Sequence, residues 1–387
     1  MRAQLSVLLI LAVAAACSDH TVSAPSTPSL DLERSLAPND DRRDVAGGVF
    51  TETDDGTANA VVAYARHADG TLTYIANFPT GGRGLGGANV VDPLQSQFAV
   101  VLTPDHQYLF AVNAQSDNVT AFAVAKHGLE KIATYSSNGA TPVSLAATNH
   151  VLYVLNKNSN TVTGFRIERG RLEAVPEWTR SLRAGASGAA AIRFDRDAHL
   201  LAVTERVSNT IDVFTAHDGV LSSTPVRTTS AGAVPFGFDW TPRHQLIASE
   251  AGTGSASSYF ATRRGTLILR DGVESTLQRA PCWLIATRDG HFVYTANAGS
   301  NSVTGFAVSP SGALSILTPT GVTGFLGAGA TPLDLDVSQD SKYLYVLKAG
   351  VNTVGAFAVN SDGTLSNLPD GASGLSTRSG QMGIAAY

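Results

Sequence analysis

The sequence predicts an all-β protein, a seven-bladed β-propeller with four-stranded antiparallel blades. One phrase occurs seven times: an apolar strand, a polar turn, and a second strand that ends on an aromatic residue, as in YVLNKNSNTVTGF and YTANAGSNSVTGF. The aromatic residues follow one another at intervals of 43 to 58 residues, a spacing typical of propeller blades with four short strands. They are Tyr64, Phe122, Phe165, Phe214, Tyr259, Phe306 and Phe357.

The remaining two strands of each blade can also be read from the sequence. We label the strands A to D from the central axis outward, so that the repeated phrase supplies strands B and C. A turn with glycine leads into a polar strand D, as in ADGTLTYI, and an apolar strand A precedes the phrase, as in LDLDVS. The first copy, at Val49, has no strand A before it. The C-terminal segment GQMGIAAY has that character, so it is predicted to pair with the N-terminal blade and close the ring.

The composition agrees with this architecture and excludes several functions. Glycine accounts for 37 of 387 residues and charged residues for only 15%, which favours strands and turns over disorder. The formal net charge is −5 without any cluster of Lys and Arg, so nucleic-acid binding is disfavoured. Cys17 and Cys282 are the two cysteines, and scattered histidines cannot complete a zinc site with one thiol. We expect no metal and no cofactor.

The N-terminus has the features of an export signal. Arg2 precedes an apolar run that ends at Val13 and is too short for a permanent membrane helix. Ala-Ala-Ala before Cys17 resembles a bacterial lipoprotein box, in which the cysteine is acylated, and ordinary cleavage is the alternative. The predicted domains are a signal peptide at 1–16, a flexible tether at 17–45 and the propeller at 46–387. The expected location is the periplasm or cell surface, anchored in the outer membrane through lipid on Cys17.

A ring of polar residues is predicted where each strand B meets its loop. The seven phrases align Thr53, Asn113, Asn156, Glu205, Glu250, Asn297 and Lys348 at this slot. Sevenfold geometry would place them around one mouth of the central channel. Glu205 and Glu250 fall on adjacent blades, where two carboxylates can share a proton or a cation, or one can act as a general base. The alternatives are asparagines that cap their own turns and a solvated pair of glutamates.

The repeated phrase resembles the YVTN-type repeat, and residues 46–387 look like the lactonase-like seven-bladed propeller family. Its members include 6-phosphogluconolactonases and 3-carboxy-cis,cis-muconate lactonizing enzymes. The resemblance implies a lactonase-type hydrolase or a cycloisomerase, if the protein is an enzyme. The family pattern has histidine and arginine landmarks near the central cavity, and this sequence matches it only in part. The differing positions are Gln97, Phe98, Ala190, Ala191, Thr204 and Ala298, and the matching ones are Glu205 and Asn297.

The positions of the histidines also bear on the predicted chemistry. Strands alternate in direction, so the A–B and C–D turns share one face of the disc, here called the turn face. The B–C and D–A loops share the other, here called the loop face. His106, His150, His199, His244 and His291 fall in A–B turns, and His67, His127 and His217 in C–D turns. All are therefore predicted away from the loop face, where the family resemblance places the site.

These observations favour a binding or interaction module, with a lactone hydrolase or muconate-cyclase-like enzyme as the alternative. We expect a small molecule or an envelope protein to bind the loop face of a monomer. The predicted ligand contacts are Asn113, Asn156, Glu205, Glu250, Asn297 and Lys348. A long D–A loop over residues 80–96 is expected to cover the cavity and to add Arg83 as an anion contact.

Overall fold

Seven four-stranded sheets form the blades of a propeller in the computed structural model, which describes residues 44–87, 90–182, 188–376 and 380–387. The predicted signal peptide, Cys17 and nearly all of the tether lie outside these ranges. Every strand pair within a blade is antiparallel, as predicted. No helix in the described ranges is long and apolar enough to cross a membrane.

Each blade runs from strand A at the axis to strand D at the rim. In that order, blade 1 contains Met382–Ala386, Val45–Glu52, Ala60–His67 and Leu72–Pro79. Blade 2 contains Val100–Leu102, Tyr108–Asn113, Asn118–Ala125 and Gly128–Ser136. Blade 3 contains Pro142–Ala147, Val151–Asn156, Thr161–Glu168, and Arg171–Ala174 with Arg180–Ser181. Blade 4 contains Ala189–Phe194, Leu200–Glu205, Thr210–His217, and Val220–Leu221 with Val226–Thr229.

Blades 5 to 7 repeat this order. Blade 5 contains Pro235–Trp240, Gln245–Glu250, Ser255–Ala261 and Leu267–Ser275. Blade 6 contains Pro281–Ala286, Phe292–Asn297, Ser302–Val308, and Leu314–Ile316 with Gly324–Phe325. Blade 7 contains Pro332–Val337, Tyr343–Lys348, Thr353–Val359 and Leu365–Gly371. Short 3₁₀ turns occupy Ala114–Ser116 and Pro176–Trp178.

The C-terminal strand closes the ring, as the sequence predicts. It pairs with strand B of blade 1 in a register that sets Ala386 opposite Val49 and Ile384 opposite Thr51. The Thr51 hydroxyl donates to the carbonyl of Gly383 at 2.6 Å, in a fully buried setting. The two ends of the chain therefore share one blade, and the ring leaves no inner strand edge unpaired there.

Aromatic side chains join neighbouring blades. The seven repeated aromatic residues are all buried. Strand B adds tyrosines whose hydroxyls reach the C–D turn of the next blade: Tyr153 donates to the Gly219 carbonyl at 2.8 Å and Tyr345 to the Gly70 carbonyl at 3.0 Å. Gly70 has φ +85°, and a Cβ there would collide with the Tyr343 ring. The recurrent turn glycine is thus required by both conformation and close packing.

Candidate functional site

The long D–A loop enters the central channel and fills it. Residues 96–98, here called the plug, bond to several blades. Gln97 Nε2 donates to the Leu284 carbonyl at 2.9 Å, and the Gln97 amide donates to the Ala190 carbonyl at 3.0 Å. The Phe98 amide donates to Asp334 Oδ2 at 3.1 Å, and Trp283 Nε1 donates to the Ser96 carbonyl at 2.8 Å. The plug therefore crosses the channel and separates its two mouths.

The structure contains the predicted polar slot at the end of strand B, but its side chains are buried in the sheets and do not line an open channel mouth. The register places Glu52 in the blade 1 slot, because Glu52 pairs with Met382 as Asn156 pairs with Pro142. The alignment on Thr53 was therefore wrong by one residue. All seven slot side chains are buried: Glu52, Asn113, Asn156, Glu205, Glu250, Asn297 and Lys348.

The slot asparagines share one hydrogen-bonding pattern. Each donates from Nδ2 to a threonine on strand C of the same blade: Asn113 to Thr120 at 3.0 Å, and Asn156 to Thr163 at 3.0 Å. Asn297 does the same to Thr304 at 2.9 Å, and all three are fully buried. These amides stabilise the B–C connection, and binding of a ligand by them stays a prediction.

Glu205 and Glu250 occupy separate buried environments. Glu205 Oε2 accepts the Ser208 hydroxyl at 2.6 Å, while Oε1 is buried without a partner among the described residues. Glu250 Oε1 accepts the Ser230 hydroxyl at 2.7 Å, and burial raises the pKa of Glu250. No hydrogen bond in the described ranges joins the two glutamates to a common partner. Their predicted joint role stays a prediction.

Lys348 and Arg83 differ sharply in exposure. The Lys348 ammonium donates to Asp370 on strand D of its own blade, so that its charge is already paired. Arg83 lies on the loop face with an exposed side chain, and its backbone amide donates to Ser116 Oγ at 2.9 Å. Of the predicted contacts, Arg83 is the one placed openly at the surface.

A buried carboxyl pair in blade 1 was not predicted from the sequence. Glu52 and Asp54 are both fully buried, and Glu52 Oε1 and Asp54 Oδ2 have no partner among the described residues. Burial raises the pKa of each well above its usual value, and the Asp54 charge raises that of Glu52 further. The sequence did offer a signal, since two carboxylates flank Thr53.

Charged side chains lie above the plug at the loop-face mouth. Arg206 NH2 donates to Gln95 Oε1 at 2.8 Å, and Lys157 Nζ donates to the Leu94 carbonyl at 3.2 Å. Burial raises the pKa of Asp92 to about 7, even though Arg206 and Lys157 act in the opposite direction. Both cations therefore hold the loop in place at this mouth.

The opposite mouth opens into a cavity of about 520 Å³ on the turn face. Phe98 from the plug is among its lining residues, together with the ends of A strands and the turns that follow them. Its half-buried apolar lining residues include Val101, Leu102 and Ala147. The volume lies within the usual range for small-molecule pockets. This opening is thus on the face that the sequence analysis did not favour.

Three arginines line this cavity. Arg193 Nε lies 2.9 Å from Asp239 Oδ1, and Arg196 NH2 lies 3.5 Å from Asp239 Oδ2. Arg288 NH2 lies 3.2 Å from Asp336 Oδ1. Burial alone would raise the pKa of Asp239, but Arg193 and Arg196 hold it below its usual value. Asp239 is therefore a carboxylate at neutral pH, and Arg193 and Arg196 are fixed around it.

Most histidines lie in the turns that the sequence predicts, while His67 and His217 are the last residues of their C strands. His106 lines the cavity. His106 stacks on Tyr387 with ring centroids 4.9 Å apart. Burial lowers the pKa of His106, and the charge of Arg288 lowers it further. A neutral His106 at pH 7 can donate or accept a hydrogen bond at this mouth.

A family model described as a lactonase, 7-bladed beta-propeller, matches residues 57–178, 95–286 and 272–374, which overlap and together span most of the chain. The chain belongs to this family. A search of curated proteins found no match.

Solved structures resemble this lactonase propeller in fold. A putative 6-phosphogluconolactonase from Bacteroides fragilis is 16% identical with a TM-score of 0.69, covering 88% of this chain and 98% of that one. A protein from Lactobacillus plantarum is 17% identical with a TM-score of 0.69, covering 88% and 99%. The periplasmic gluconolactonase of Pseudomonas aeruginosa is 15% identical with a TM-score of 0.63, covering 87% and 98%. At these identities the likeness concerns the fold alone.

Two of the positions where this chain differs from the family pattern, Gln97 and Ala190, have structural roles. Gln97 belongs to the plug, and Ala190 accepts the Gln97 amide through its carbonyl.

Cys282 lies beside the loop-face mouth, where burial raises the pKa of its thiol to about 12 and Asp92 adds to the shift. No three His, Cys, Asp or Glu residues of the described ranges are grouped as metal ligands. The loop face of this chain thus presents a packed surface.

Proposed function

We propose that this lactonase propeller is an exported ligand-binding module whose small-molecule ligand occupies the turn-face cavity. The observation that carries the proposal is the cavity of about 520 Å³, which ends on Phe98 of the plug and is lined by three arginines. Binding pockets are typically concave and largely apolar, with a few polar groups that fix the ligand. The half-buried Val101, Leu102 and Ala147, which line the cavity together with the arginines, have this character.

Hydrolysis at the loop face is less well supported. The plug fills the channel there, and Glu205 and Glu250 are buried with hydroxyl partners. A general base must reach the proton that it removes, directly or through one water. Gln97 carries a neutral amide where the family pattern has histidine, so it cannot take that role.

Two matched substitutions test the site. Ala147 lines the turn-face cavity, and Ala298 lies in the B–C turn of blade 6 on the loop face. A thermal-shift screen of small acids, sugars and amides should yield binders of the parent propeller. Ala147→Trp should abolish their binding by filling the cavity, while Ala298→Trp should leave it unchanged. Loss of binding in Ala298→Trp alone would move the site to the loop face.

Lactone hydrolysis is the second candidate, because the chain belongs to the lactonase family and its neighbours include a gluconolactonase. Glu250 would be the base, since burial raises its pKa towards neutrality. Incubation with sugar-derived and aromatic lactones should then release acid, and Glu250→Gln should stop the release. The binding proposal expects no release above the rate without protein.

Export and anchoring belong to the same proposal. Support comes from the apolar run up to Val13 and the Ala-Ala-Ala-Cys segment that ends at Cys17. Cys17→Ser should move the protein from the membrane fraction to the soluble fraction or stall its processing. Membrane fractionation that is unchanged by Cys17→Ser, with no lipid label on the parent, would contradict the lipid anchor.

A further inference from the structure

The arginines of the turn-face cavity have more hydrogen-bond donors than their surroundings use. Arg193 is held through Nε, and no hydrogen bond in the described ranges uses its two terminal nitrogens. Arg288 uses NH2 for Asp336 and for the Val337 carbonyl, while its Nε is buried and has no partner among the described residues. The buried Arg288 Nε is costly, because it has lost water without gaining an acceptor, while the Arg193 side chain is 23% exposed and its terminal nitrogens stay open to solvent.

The carboxylates that pair with these arginines also accept backbone amides. Asp239 accepts the amide of Trp240 at 2.8 Å and that of Ala286 at 3.1 Å, in addition to its two arginines. Asp336 accepts the amide of Val337 at 2.8 Å and that of Ala386 at 3.0 Å. The acceptors are thus turned towards the backbone.

Asp195 is a third carboxylate beside the cavity, and backbone amides occupy one of its two oxygens. Its Oδ1 accepts the amides of His199 and Leu200, and Oδ2 lies 4.0 Å from His244 Nδ1. Asp239 therefore uses its acceptor capacity on backbone amides and two arginines, and the cavity retains unused arginine donors.

Phe98 holds one of these arginines in a fixed plane. The guanidinium carbon of Arg193 lies 4.4 Å from the centroid of the Phe98 ring, and its Nε is tied to Asp239. A guanidinium whose plane is set in advance loses little entropy when it binds an anion through two parallel hydrogen bonds. The plug thus orients Arg193 at the floor of the cavity.

We infer that the cavity takes a small organic acid whose carboxylate is bound by Arg193 and Arg288 and whose apolar body packs on the half-buried Val101, Leu102 and Ala147. This inference rests on the function proposed above, since it names the chemistry of the ligand in the same cavity. Carboxylate is preferred to free phosphate because the cavity also has apolar lining residues, which the body of an organic acid can contact and inorganic phosphate cannot.

Benzoate and benzamide are matched probes for this inference, because they differ in charge and share an apolar ring. Isothermal titration of the parent propeller should show benzoate binding at least tenfold more tightly than benzamide. Ala147→Trp should abolish the binding of both, which places it in the cavity. Inorganic phosphate, which lacks an apolar body, should bind more weakly than benzoate.

Arginine variants then assign the contact. Arg193→Gln and Arg288→Gln should each weaken benzoate binding at least tenfold and leave benzamide unaffected. Arg270→Gln is the control, since Arg270 also lies over an aromatic ring, that of Phe260, but outside the cavity. Thermal unfolding identifies any variant that has lost its fold, and the benzoate–benzamide comparison in the parent does not depend on the variants.

Several results would overturn the inference. Equal affinity for benzoate and benzamide, both lost in Ala147→Trp, would leave the binding function standing and remove the role of the charge. Unchanged benzoate affinity in folded Arg193→Gln and Arg288→Gln would also show that the arginine charge has no role in binding. Phosphate that binds more tightly than benzoate would replace the organic acid by an inorganic anion. Absence of any binder in both this titration and the wider screen would instead contradict the proposed function.

Discussion

The two mouths of the central channel are built from the same seven repeats, yet one is filled and the other is open. At the loop face, the plug bonds to strand A of blade 6, and Lys157 and Arg206 bond to the loop residues just before the plug. The surface there is packed. At the turn face, a cavity of about 520 Å³ remains, with arginine donors unused. A single long D–A loop accounts for the difference. In a ring of repeats, one insertion therefore decides which end can take a ligand.

The two mouths also use charge differently. Carboxyl groups on the plugged side, such as Glu52, Asp54 and Asp334, are buried away from cations, and burial raises the pKa of each. On the open side, Asp239 is surrounded by arginines that lower its pKa against the effect of burial. The contrast therefore concerns these particular carboxyls: Asp239 on the open side is paired with arginines, while Glu52, Asp54 and Asp334 on the plugged side have no cation beside them among the described residues.

Deletion of residues 380–387 should have the largest effect, because it opens both mouths at once. Strand B of blade 1 would lose its partner, and the bond from Thr51 to Gly383 would be lost. We expect a destabilisation well beyond the roughly 0.5–3 kcal/mol of ordinary substitutions, with loss of cooperative unfolding by calorimetry. Deletion of residues 1–43 is the control and should leave the midpoint unchanged. Equal midpoints for the two deletions would contradict closure by this strand.

Phe98→Ala should merge the two mouths. The ring is 3% exposed and lines the cavity floor, so its removal should cost about 3–5 kcal/mol in urea unfolding. Affinity for benzoate should also fall, because Arg193 loses the ring that orients it. Phe98 has φ +65°, which favours glycine, so Phe98→Gly should be less destabilising than its size suggests. An alanine variant as stable as the parent would show that the plug does not support the ring.

Opposite pH dependence should distinguish the two sides. Burial raises the pKa of Asp334 to about 7, so the folded state holds its proton more tightly than the unfolded chain does. Its contribution to stability is complete below about pH 4 and is lost as the pH rises to about 7. Asp334→Asn should therefore flatten the decline in unfolding free energy over this window.

Asp239 should behave in the reverse sense. Its lowered pKa means that its contribution is present above about pH 4, the usual pKa of an aspartate, and is lost as the pH falls through the lower folded-state value. Asp239→Asn should reduce the acid-induced loss of stability, while destabilising the protein at neutral pH because two arginines lose their partner. Urea titrations from pH 3 to 8 measure both variants, and parallel pH profiles for them would refute the contrast.

The smallest effect is expected at Cys282, where the rate of thiol labelling reports how far solvent reaches into the loop-face mouth. Burial raises the pKa of its thiol to about 12, so almost no thiolate is present at pH 8. Iodoacetamide should label the folded propeller lacking residues 1–43 far more slowly than the same chain in urea. Equal labelling rates would mean that this mouth opens readily to solvent.

Much of the fold was predictable because it repeats. Seven copies of one phrase predicted the blades, and the unpaired first copy predicted closure by the C-terminal strand, since every strand B requires a strand A. The turn positions of the histidines followed from strand alternation alone. The candidate site was less predictable. Thr53 was aligned where Glu52 belongs, and a one-residue shift in a strand reverses which side chain faces inward.

The sequence by itself determined the number of blades, the order of their strands and the closing partner, because these follow from local periodicity repeated along the chain. The tertiary structure alone decided which mouth stays open and which charges meet there. Gln97 and Leu284 are 187 residues apart, and Arg193 and Asp239 lie on different blades. Contacts of this kind depend on how the whole ring packs around one inserted loop, and no local pattern in the sequence encodes that.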